Sequence, residues 1–443
     1  MNRNNIAALT LGLSAFLSCA ALPAVVTHAQ DLVGYGDDEV GEEGGLAAFR
    51  THGSGWTSTS SGTSGLGRPA TLTWSIVPDN SQLPTGLGEP VSNSNLIAFL
   101  DGVHHGGNSP GGADLTQRAW WQLMNSVFER WDEVSGIAFN YEPNDDGRKL
   151  GTASGILGTR GDHRIGGHSI DGQISPTFLA YNFFPNNADM VIDTDEINRW
   201  SNATNNYRLF RNMMMHEVGH GLGMNHVEPV NRTKLMEPFL ATVFDGPQFD
   251  DILGIQRLYG DANEEGTGND TFAVATSLGT VLTGQTISVG TDATDSFVAP
   301  GEIDFVSIDD NSDIDYFRFS INSPNLIDIT LTPLGPTYEE GSTVANVAPF
   351  ISSAQSNLTL ALYDSDGTSL LEFSNDTGLG LSEQIDNFQL SVAGDYFVRV
   401  GGLNNTAQFF QLDVTAVPEP TTLLLLVLGS IGSTLTRRRN ING

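Results

Sequence analysis

The chain has 443 residues, with 52 acidic side chains against 20 basic ones and a formal net charge of −32 at pH 7. So acidic a chain repels nucleic acid and anionic membranes, which excludes partners of those classes. The length suffices for two or three domains with cores of their own. The single cysteine, Cys19, lies in the leader described next, so we predict neither a disulfide nor a cysteine-ligated metal in the mature chain.

Residues 1–29 have the features of a secretory signal peptide in the expected order. An early Arg3 precedes an apolar run, and small residues lead to a cleavage point after Ala29. Residues 30–67 are rich in Gly, Ser, Thr and acids and show no hydrophobic period, which predicts a flexible acidic linker.

Strand and helix patterns are mixed over residues 68–261. The run "ATLTWSIVP" predicts a strand, "LTQRAWWQLMNSVFERWDEVSG" a helix, and "IAFNYE" and "TFLAYNFFP" two further strands. A helix starting near Tyr207 and a last helix over Phe249–Gly260 complete the pattern. Strands mixed with three helices indicate an α+β or α/β domain.

Residues 262–416 begin with a polar linker, "DANEEGTGNDTF", and continue with short period-2 runs separated by Gly, Asn and Asp turns. No segment there sustains a helical period. This pattern predicts an all-β antiparallel sandwich.

The stretch "HEVGHGLGMNH" holds three histidines and a glutamate within eleven residues. His216 and His220 are four residues apart, so on a helix both imidazoles reach one Zn²⁺ from the same face. Gly223 allows the helix to end with a positive φ, and the chain then brings His226 round as a third ligand. Three protein ligands leave one position for water, which is the arrangement of a catalytic zinc.

Glu217 lies beside the first ligand and points differently from it. The predicted chemistry is hydrolysis of a peptide bond by a water on the zinc, with Glu217 as the general base that takes the proton of that water. The five fixed positions of this pattern make an ordinary histidine-rich helix a poor alternative.

HExxHxxGxxH resembles the zinc signature of the metzincin metallopeptidases, and residues 69–260 are most similar to their matrixin branch. The resemblance implies a zincin-like α+β fold with a mixed twisted sheet. It also implies that Met236, in "KLMEP", lies under the zinc without ligating it. "LAYNFFP" looks like the substrate-pairing edge strand of that branch, which places Ala180 at the substrate pocket, and Pro238 would shape the wall of the S1′ pocket.

"DTDEINRW" looks like the calcium segment of the matrixins, so Asp193 and Glu196 are candidate ligands for a structural Ca²⁺. A solvated acidic loop is the alternative. The family's second zinc is expected to be absent, because its histidine positions are occupied by Tyr181 and Val191.

Residues 269–416 resemble the bacterial pre-peptidase C-terminal domain, through "NDTFAVATSL", "DDNSDIDYFRFSI" and "AGDYFVRVGG". Residues 417–443 resemble a PEP-CTERM sorting tail, with a Pro-Glu-Pro triplet, a short apolar run and three arginines. That resemblance implies handling by an exosortase-type enzyme and a bacterial protein exported to the envelope or beyond it, with a transient or permanent C-terminal anchor.

The prediction is therefore a secreted, monomeric zinc endopeptidase that acts on polypeptides. The alternative is a non-catalytic surface or adhesion protein in which the zinc domain is a relic. Retention of Glu217 together with three ligands, Gly223 and Met236 argues against that alternative.

Overall fold

The computed structural model describes residues 49–104, 111–172 and 178–418. The predicted signal peptide, the first half of the acidic linker (residues 30–48) and nearly all of the sorting tail lie outside these ranges. Among the described helices, none combines the length and the apolar character that a membrane span requires.

A five-stranded mixed sheet organises the first part of the described chain. Its order is β4-β3-β5-β7-β6, with all neighbours parallel except β6, which pairs antiparallel with β7 at the edge. A small hairpin, β1 and β2, precedes it. The strands are β1 (Ser58–Thr59), β2 (Gly62–Thr63), β3 (Ala70–Ile76), β4 (Ile137–Tyr141), β5 (His163–His168), β6 (Ala180–Asn182) and β7 (Met190–Asp193).

Helices pack against this sheet through buried aromatic and aliphatic side chains. They are α1 (Leu96–Val103), α2 (Trp121–Asp132), α3 (Ile197–Trp200), α4 (Arg208–Gly221) and α5 (Phe249–Tyr259). The three predicted helices correspond to α2, α4 and α5. The sequence reading missed α1, which has no side-chain cap at its start, and α3, which is a single turn.

The predicted flexible linker is wrong for its last part, residues 49–67. Trp56 is 2% exposed, and its indole Nε1 donates a 2.8 Å hydrogen bond to the carbonyl of Gly221 at the end of α4. The hydroxyl of Tyr259 accepts from the backbone of Trp56 at 2.9 Å. A burial of this kind is invisible to local composition, since Ser, Thr and Gly surround the one anchoring aromatic.

Two five-stranded sheets face each other in the second part of the chain and form the predicted sandwich. One has the order β10-β19-β12-β17 with β9 also on β19, and the other has the order β16-β15-β18-β11-β8. The expectation of a wholly antiparallel sandwich is wrong for one pair, because β8 runs parallel to β11. The strands are β8 (Thr276–Thr280), β9 (Thr286–Val289), β10 (Ser307–Ile308), β11 (Ile314–Ile321), β12 (Asn325–Pro333), β15 (Leu358–Tyr363), β16 (Leu370–Ser374), β17 (Glu383–Leu390), β18 (Gly394–Gly402) and β19 (Gln408–Val417).

A separate antiparallel hairpin leaves the sandwich between β12 and β15. It consists of β13 (Thr337–Glu340) and β14 (Ala348–Ile351). We call residues 337–351 the sandwich hairpin. It extends toward the first part of the chain, where it meets the segment that follows α4.

One apolar cluster spans the junction between the two parts of the chain, and the sandwich has a second apolar core of its own. Phe249 of α5 stacks edge-on against Phe409 of β19, with ring centroids 5.0 Å apart. Phe305 and Phe350 of the second part belong to the same buried cluster. The predicted polar linker is likewise not solvated along its length, because Asn269 is fully buried.

Candidate metal centre

Helix α4 carries the first two predicted ligands and buries them. His216 and His220 are 2% and 3% exposed, and burial lowers the pKa of His216 to about 3 and that of His220 to about 4. Desolvation disfavours the charged imidazolium, so both rings stay neutral at physiological pH. A neutral imidazole has the free lone pair that a metal requires.

The three histidine Nε2 atoms form a triangle with each side 3.2 Å long. Ligands about 2.0–2.1 Å from one tetrahedral zinc lie about 3.3–3.4 Å apart, so the triangle suits such an ion. The ring orientations are fixed from behind, since Nδ1 of His216 donates to the carbonyl of Leu235 and Nδ1 of His220 to that of Met224, both at 2.7 Å. These bonds turn the Nε2 lone pairs of His216 and His220 inward.

The turn after α4 brings His226 to its place. Gly223 has φ +102°, and a Cβ there would lie 3.3 Å from the Cα of Gly55. The backbone of Met224 closes the helix by donating to Gly219 at 2.9 Å. Gly223 is thus required both for its backbone conformation and for the close approach of the N-terminal segment.

Met236 lies directly against the ligand-bearing helix. It is fully buried, and a Cβ added at Gly219 would be 2.6 Å from its sulfur. Gly219 sits between the two helical ligands and was missed by the sequence reading, which attached no role to it. Its signal is the first glycine of "HEVGHGLG", a poor helix former inside a helix.

Glu217 is the buried acid of the site. It is 2% exposed, its Oε2 has no hydrogen-bond partner among the described residues, and burial raises its pKa to about 8. A bound cation nearby would favour the ionised form of such a carboxyl. An otherwise unengaged carboxylate beside three imidazoles is suited to accept a proton from water.

The two predicted substrate-pocket residues lie in different segments of the chain. Ala180 is buried in the edge strand β6, which contacts α4, while Pro238 is half-buried after the Met236 turn. The sequence reading missed His52, which stacks on Phe184 with centroids 4.1 Å apart. The ring centroid of Phe184 in turn lies 5.7 Å from that of His220. The His52–Phe184 pair therefore brings the N-terminal segment of the described chain next to the site.

A second group of potential ligands includes both predicted calcium residues. Carboxylate oxygens of Asp171, Asp193 and Glu196 lie within 4.8 Å of one another. Asp193 is fully buried, and its Oδ2 accepts no hydrogen bond among the described residues. Burial raises its pKa to about 7. Asp171 was not predicted. Oxygen ligands of this kind suit Ca²⁺.

The place of the family's second zinc is occupied differently. Tyr181 and Val191 are cross-strand partners on β6 and β7 and belong to a small apolar cluster. The Tyr181 hydroxyl donates to Glu89 at 2.8 Å, and Nε2 of His168 lies 3.4 Å from the same carboxyl. His168 is 2% exposed; its Nδ1 contacts the Ser92 hydroxyl, while its Nε2 has no hydrogen-bond partner among the described residues.

A third acidic group lies where the two parts of the chain join. Carboxylate oxygens of Glu264, Asp270 and Asp313 come within 4.8 Å of one another, and Asp315 is fully buried beside them. Burial and the neighbouring acids raise the pKa of Glu264 to about 9 and that of Asp313 to about 7. This group joins residues 49 positions apart, so the sequence reading did not find it.

Comparison with known families defines the class of each part. Residues 109–260 match the family model for matrixin, residues 313–402 that for the bacterial pre-peptidase C-terminal domain, and residues 416–439 the PEP-CTERM protein-sorting motif. The three resemblances drawn from the sequence are therefore confirmed: the chain contains a matrixin domain, a pre-peptidase C-terminal domain and a PEP-CTERM motif.

A hatching enzyme from Paracentrotus lividus is 32% identical over 159 residues, which are 35% of this chain and 25% of that enzyme. Two solved structures align with 32% of the chain. The pre-peptidase C-terminal domain of a Bacillus anthracis collagenase does so with 94% of its own length, 17% identity and a TM-score of 0.18. The second structure is PliG from Aeromonas hydrophila, a periplasmic inhibitor of g-type lysozyme. It aligns over 96% of its own length, with 10% sequence identity and a TM-score of 0.17. Neither structural likeness bears on function.

Proposed function

We propose that the protein is an exported zinc-dependent endopeptidase that hydrolyses peptide bonds in polypeptides. The observation that carries the proposal is the triangle of His216, His220 and His226 Nε2 atoms beside the buried, unengaged carboxyl of Glu217. The matrixin model and the hatching-enzyme relative support a metallopeptidase. The sorting motif supports export and handling by an exosortase-type enzyme.

Zinc, when bound by the three imidazoles, would supply Lewis acidity to a water and to the scissile carbonyl. The residues of the chain do the rest. Glu217 accepts the proton of the attacking water and passes it to the departing amine. The carbonyls of Leu235 and Met224 keep the imidazoles of His216 and His220 oriented. Edge strand β6 offers backbone groups with which an extended substrate can pair.

The proposal is tested with unfolded casein and purified protein, as prepared, after removal of metals, and after return of Zn²⁺. Glu217→Ala is the matched variant, because it removes the base and leaves the three ligands. We expect cleavage by the zinc-loaded protein, and none by the metal-free protein or by Glu217→Ala. Binding of one zinc without any cleavage, over a range of protein substrates, would favour the surface-binding alternative.

A further inference from the structure

The sandwich hairpin (residues 337–351) reaches the segment that forms one side of the metal centre. Glu228 lies two residues after His226, and its N–H and C=O form a pair of 2.9 Å hydrogen bonds with Gly341 of the hairpin. We call residues 227–238, from this pairing to Pro238, the wall loop. A backbone pairing of two bonds fixes the start of the wall loop to the second domain.

A buried ion pair repeats the connection further along the wall loop. The Nζ of Lys234 is 3.4 Å from the Glu340 carboxylate, with the two side chains 2% and 0% exposed. Lys234 is one of only two lysines in the chain. A long cationic side chain is rarely buried without a specific partner, and the Glu340 carboxyl is the acidic group that lies 3.4 Å from the Lys234 Nζ.

A third connection runs through α5. The Tyr338 hydroxyl donates to Asp250 at 2.6 Å. The next residue, Asp251, accepts from the backbone N–H groups of Leu235 at 2.6 Å and Met236 at 3.0 Å. The carbonyl of Leu235 is the acceptor that orients His216. The hairpin is thus linked to His216 through these hydrogen bonds and the short stretches of backbone that join them.

We propose that the sandwich hairpin is a positioning element of the peptidase site, acting through Tyr338 and Glu340 on the wall loop. This inference rests on the proposed function. Without the hairpin contacts the wall loop would shift from its present position. The Leu235 carbonyl, Met236 and the Pro238 side of the pocket would shift with it. The second domain would then set both the turnover rate and the preference for the substrate residue after the scissile bond.

The test uses the full chain with two variants and two matched controls. Glu340→Gln removes the charge facing Lys234, and Glu339→Gln makes the same change one residue earlier, where the side chain is exposed. Tyr338→Phe removes only a hydroxyl, and Tyr396→Phe does so in the sandwich core, where the hydroxyl donates to Val392. kcat and KM are measured per zinc-loaded molecule on peptides varied at the position after the scissile bond, and zinc affinity by competition with a chelating dye.

We expect kcat/KM to fall by about 10–100-fold in both hairpin variants, as for a small misplacement of catalytic groups. Zinc affinity should fall as well, by up to the about 10–100-fold that follows loss of outer-shell support. The differences in kcat/KM among the peptides should become smaller in the hairpin variants. In both controls kcat/KM and zinc affinity should stay within about twofold of wild type. The double variant Lys234→Met with Glu340→Leu, which replaces the pair by apolar side chains, should recover most of the activity that Glu340→Gln loses.

Wild-type kcat/KM, peptide preference and zinc affinity in folded Tyr338→Phe would overturn the inference and leave the hairpin as a mere contact between domains. If Glu340→Gln fails to fold, Tyr338→Phe decides alone. If the wild type binds zinc but cleaves nothing, the proposed function fails separately. In that case a fall in zinc affinity confined to the hairpin variants still supports the positioning role, and unchanged affinity contradicts it.

Discussion

The metal centre and the contact between the domains are built in opposite ways. The three histidines and Glu217 all come from eleven consecutive residues, so helix geometry and one glycine turn are enough to assemble them. The contact between wall loop and hairpin joins Lys234 to Glu340 across more than a hundred residues. A site made from one local segment can be recognised in a sequence, whereas the structure that holds it in place comes from distant residues with no common spacing.

The largest effect should come from breaking the local triangle. His226→Ala removes one of three ligands, so zinc affinity and activity should fall by more than the about 10–100-fold that outer-shell losses cost. His52→Ala is the matched control, since it removes an imidazole that stacks near the site but lies outside the triangle. Bound zinc is measured by elemental analysis after dialysis. Retention of full zinc by His226→Ala would contradict the ligand assignment.

The next effect concerns the support of the wall loop. Asp251→Ala would leave three backbone donors, those of Leu235, Met236 and Gln248, without their acceptor. We expect a loss of about 3 kcal/mol or more in the free energy of unfolding, because each buried donor left unpaired costs about 1–3 kcal/mol. Urea unfolding provides the measurement. Asp366→Ala is the control, because that carboxylate also accepts backbone bonds but is exposed, so water replaces it.

A third prediction concerns the two acidic groups and their pH dependence. Asp193 and Asp313 have pKa values raised from 3.8 to about 7, and Glu264 one raised from 4.5 to about 9. Between pH 4 and 9 the folded state therefore holds protons that the unfolded chain has released, so without calcium stability should fall as pH rises. Ca²⁺ held by Asp171, Asp193 and Glu196 would favour their ionised forms, so its stabilising effect should grow over the same range.

We would measure Tm of zinc-loaded, calcium-free protein at pH 6 and pH 8.5, with and without added Ca²⁺. Calcium at about a hundred times its Kd contributes about 2.7 kcal/mol, which raises the Tm of one cooperative unit of about 360 residues by about 3–4 °C. The increase should be larger at pH 8.5 and reduced in Asp193→Asn. A calcium effect that is absent at both pH values would refute the calcium assignment.

The smallest effect concerns Gly219. Gly219→Ala introduces a Cβ that meets the Met236 sulfur at 2.6 Å, which should destabilise by about 1–3 kcal/mol, partly offset by the better helix propensity of Ala. Gly102 is the matched control, because it also lies in a helix but has open space around it, so Gly102→Ala should stabilise by about 0.5–1 kcal/mol. Equal effects at both positions would mean that Met236 does not press on the helix.

The sequence predicts well those helices and strands whose hydrophobic period and flanking Gly or Pro residues define them locally. The helix through His216 and His220 and the last helix over Phe249–Tyr259 are examples. Prediction from sequence fails where a single buried side chain holds a segment in place. Trp56 is such a residue, because its neighbours in the chain are small and polar. It also fails where hydrogen-bond partners are distant in the chain. The bonds of Asp251 and of the Leu235 carbonyl are examples, since neither residue type is unusual at its position. The edge strand shows a third limit, because its pattern predicts more residues than the three that pair in β6.

The apolar cluster at the junction of the two parts limits where this protein can be divided. Phe249, Phe305 and Phe409 pack together across what the family matches treat as a boundary. Cutting the chain near residue 261 would expose large aromatic faces on both pieces, and such surfaces aggregate. The second domain is therefore not a module that can be transplanted or removed at will. Melting should be a single cooperative transition, and chimaeras that exchange the sandwich would have to carry the facing side of α5 with it.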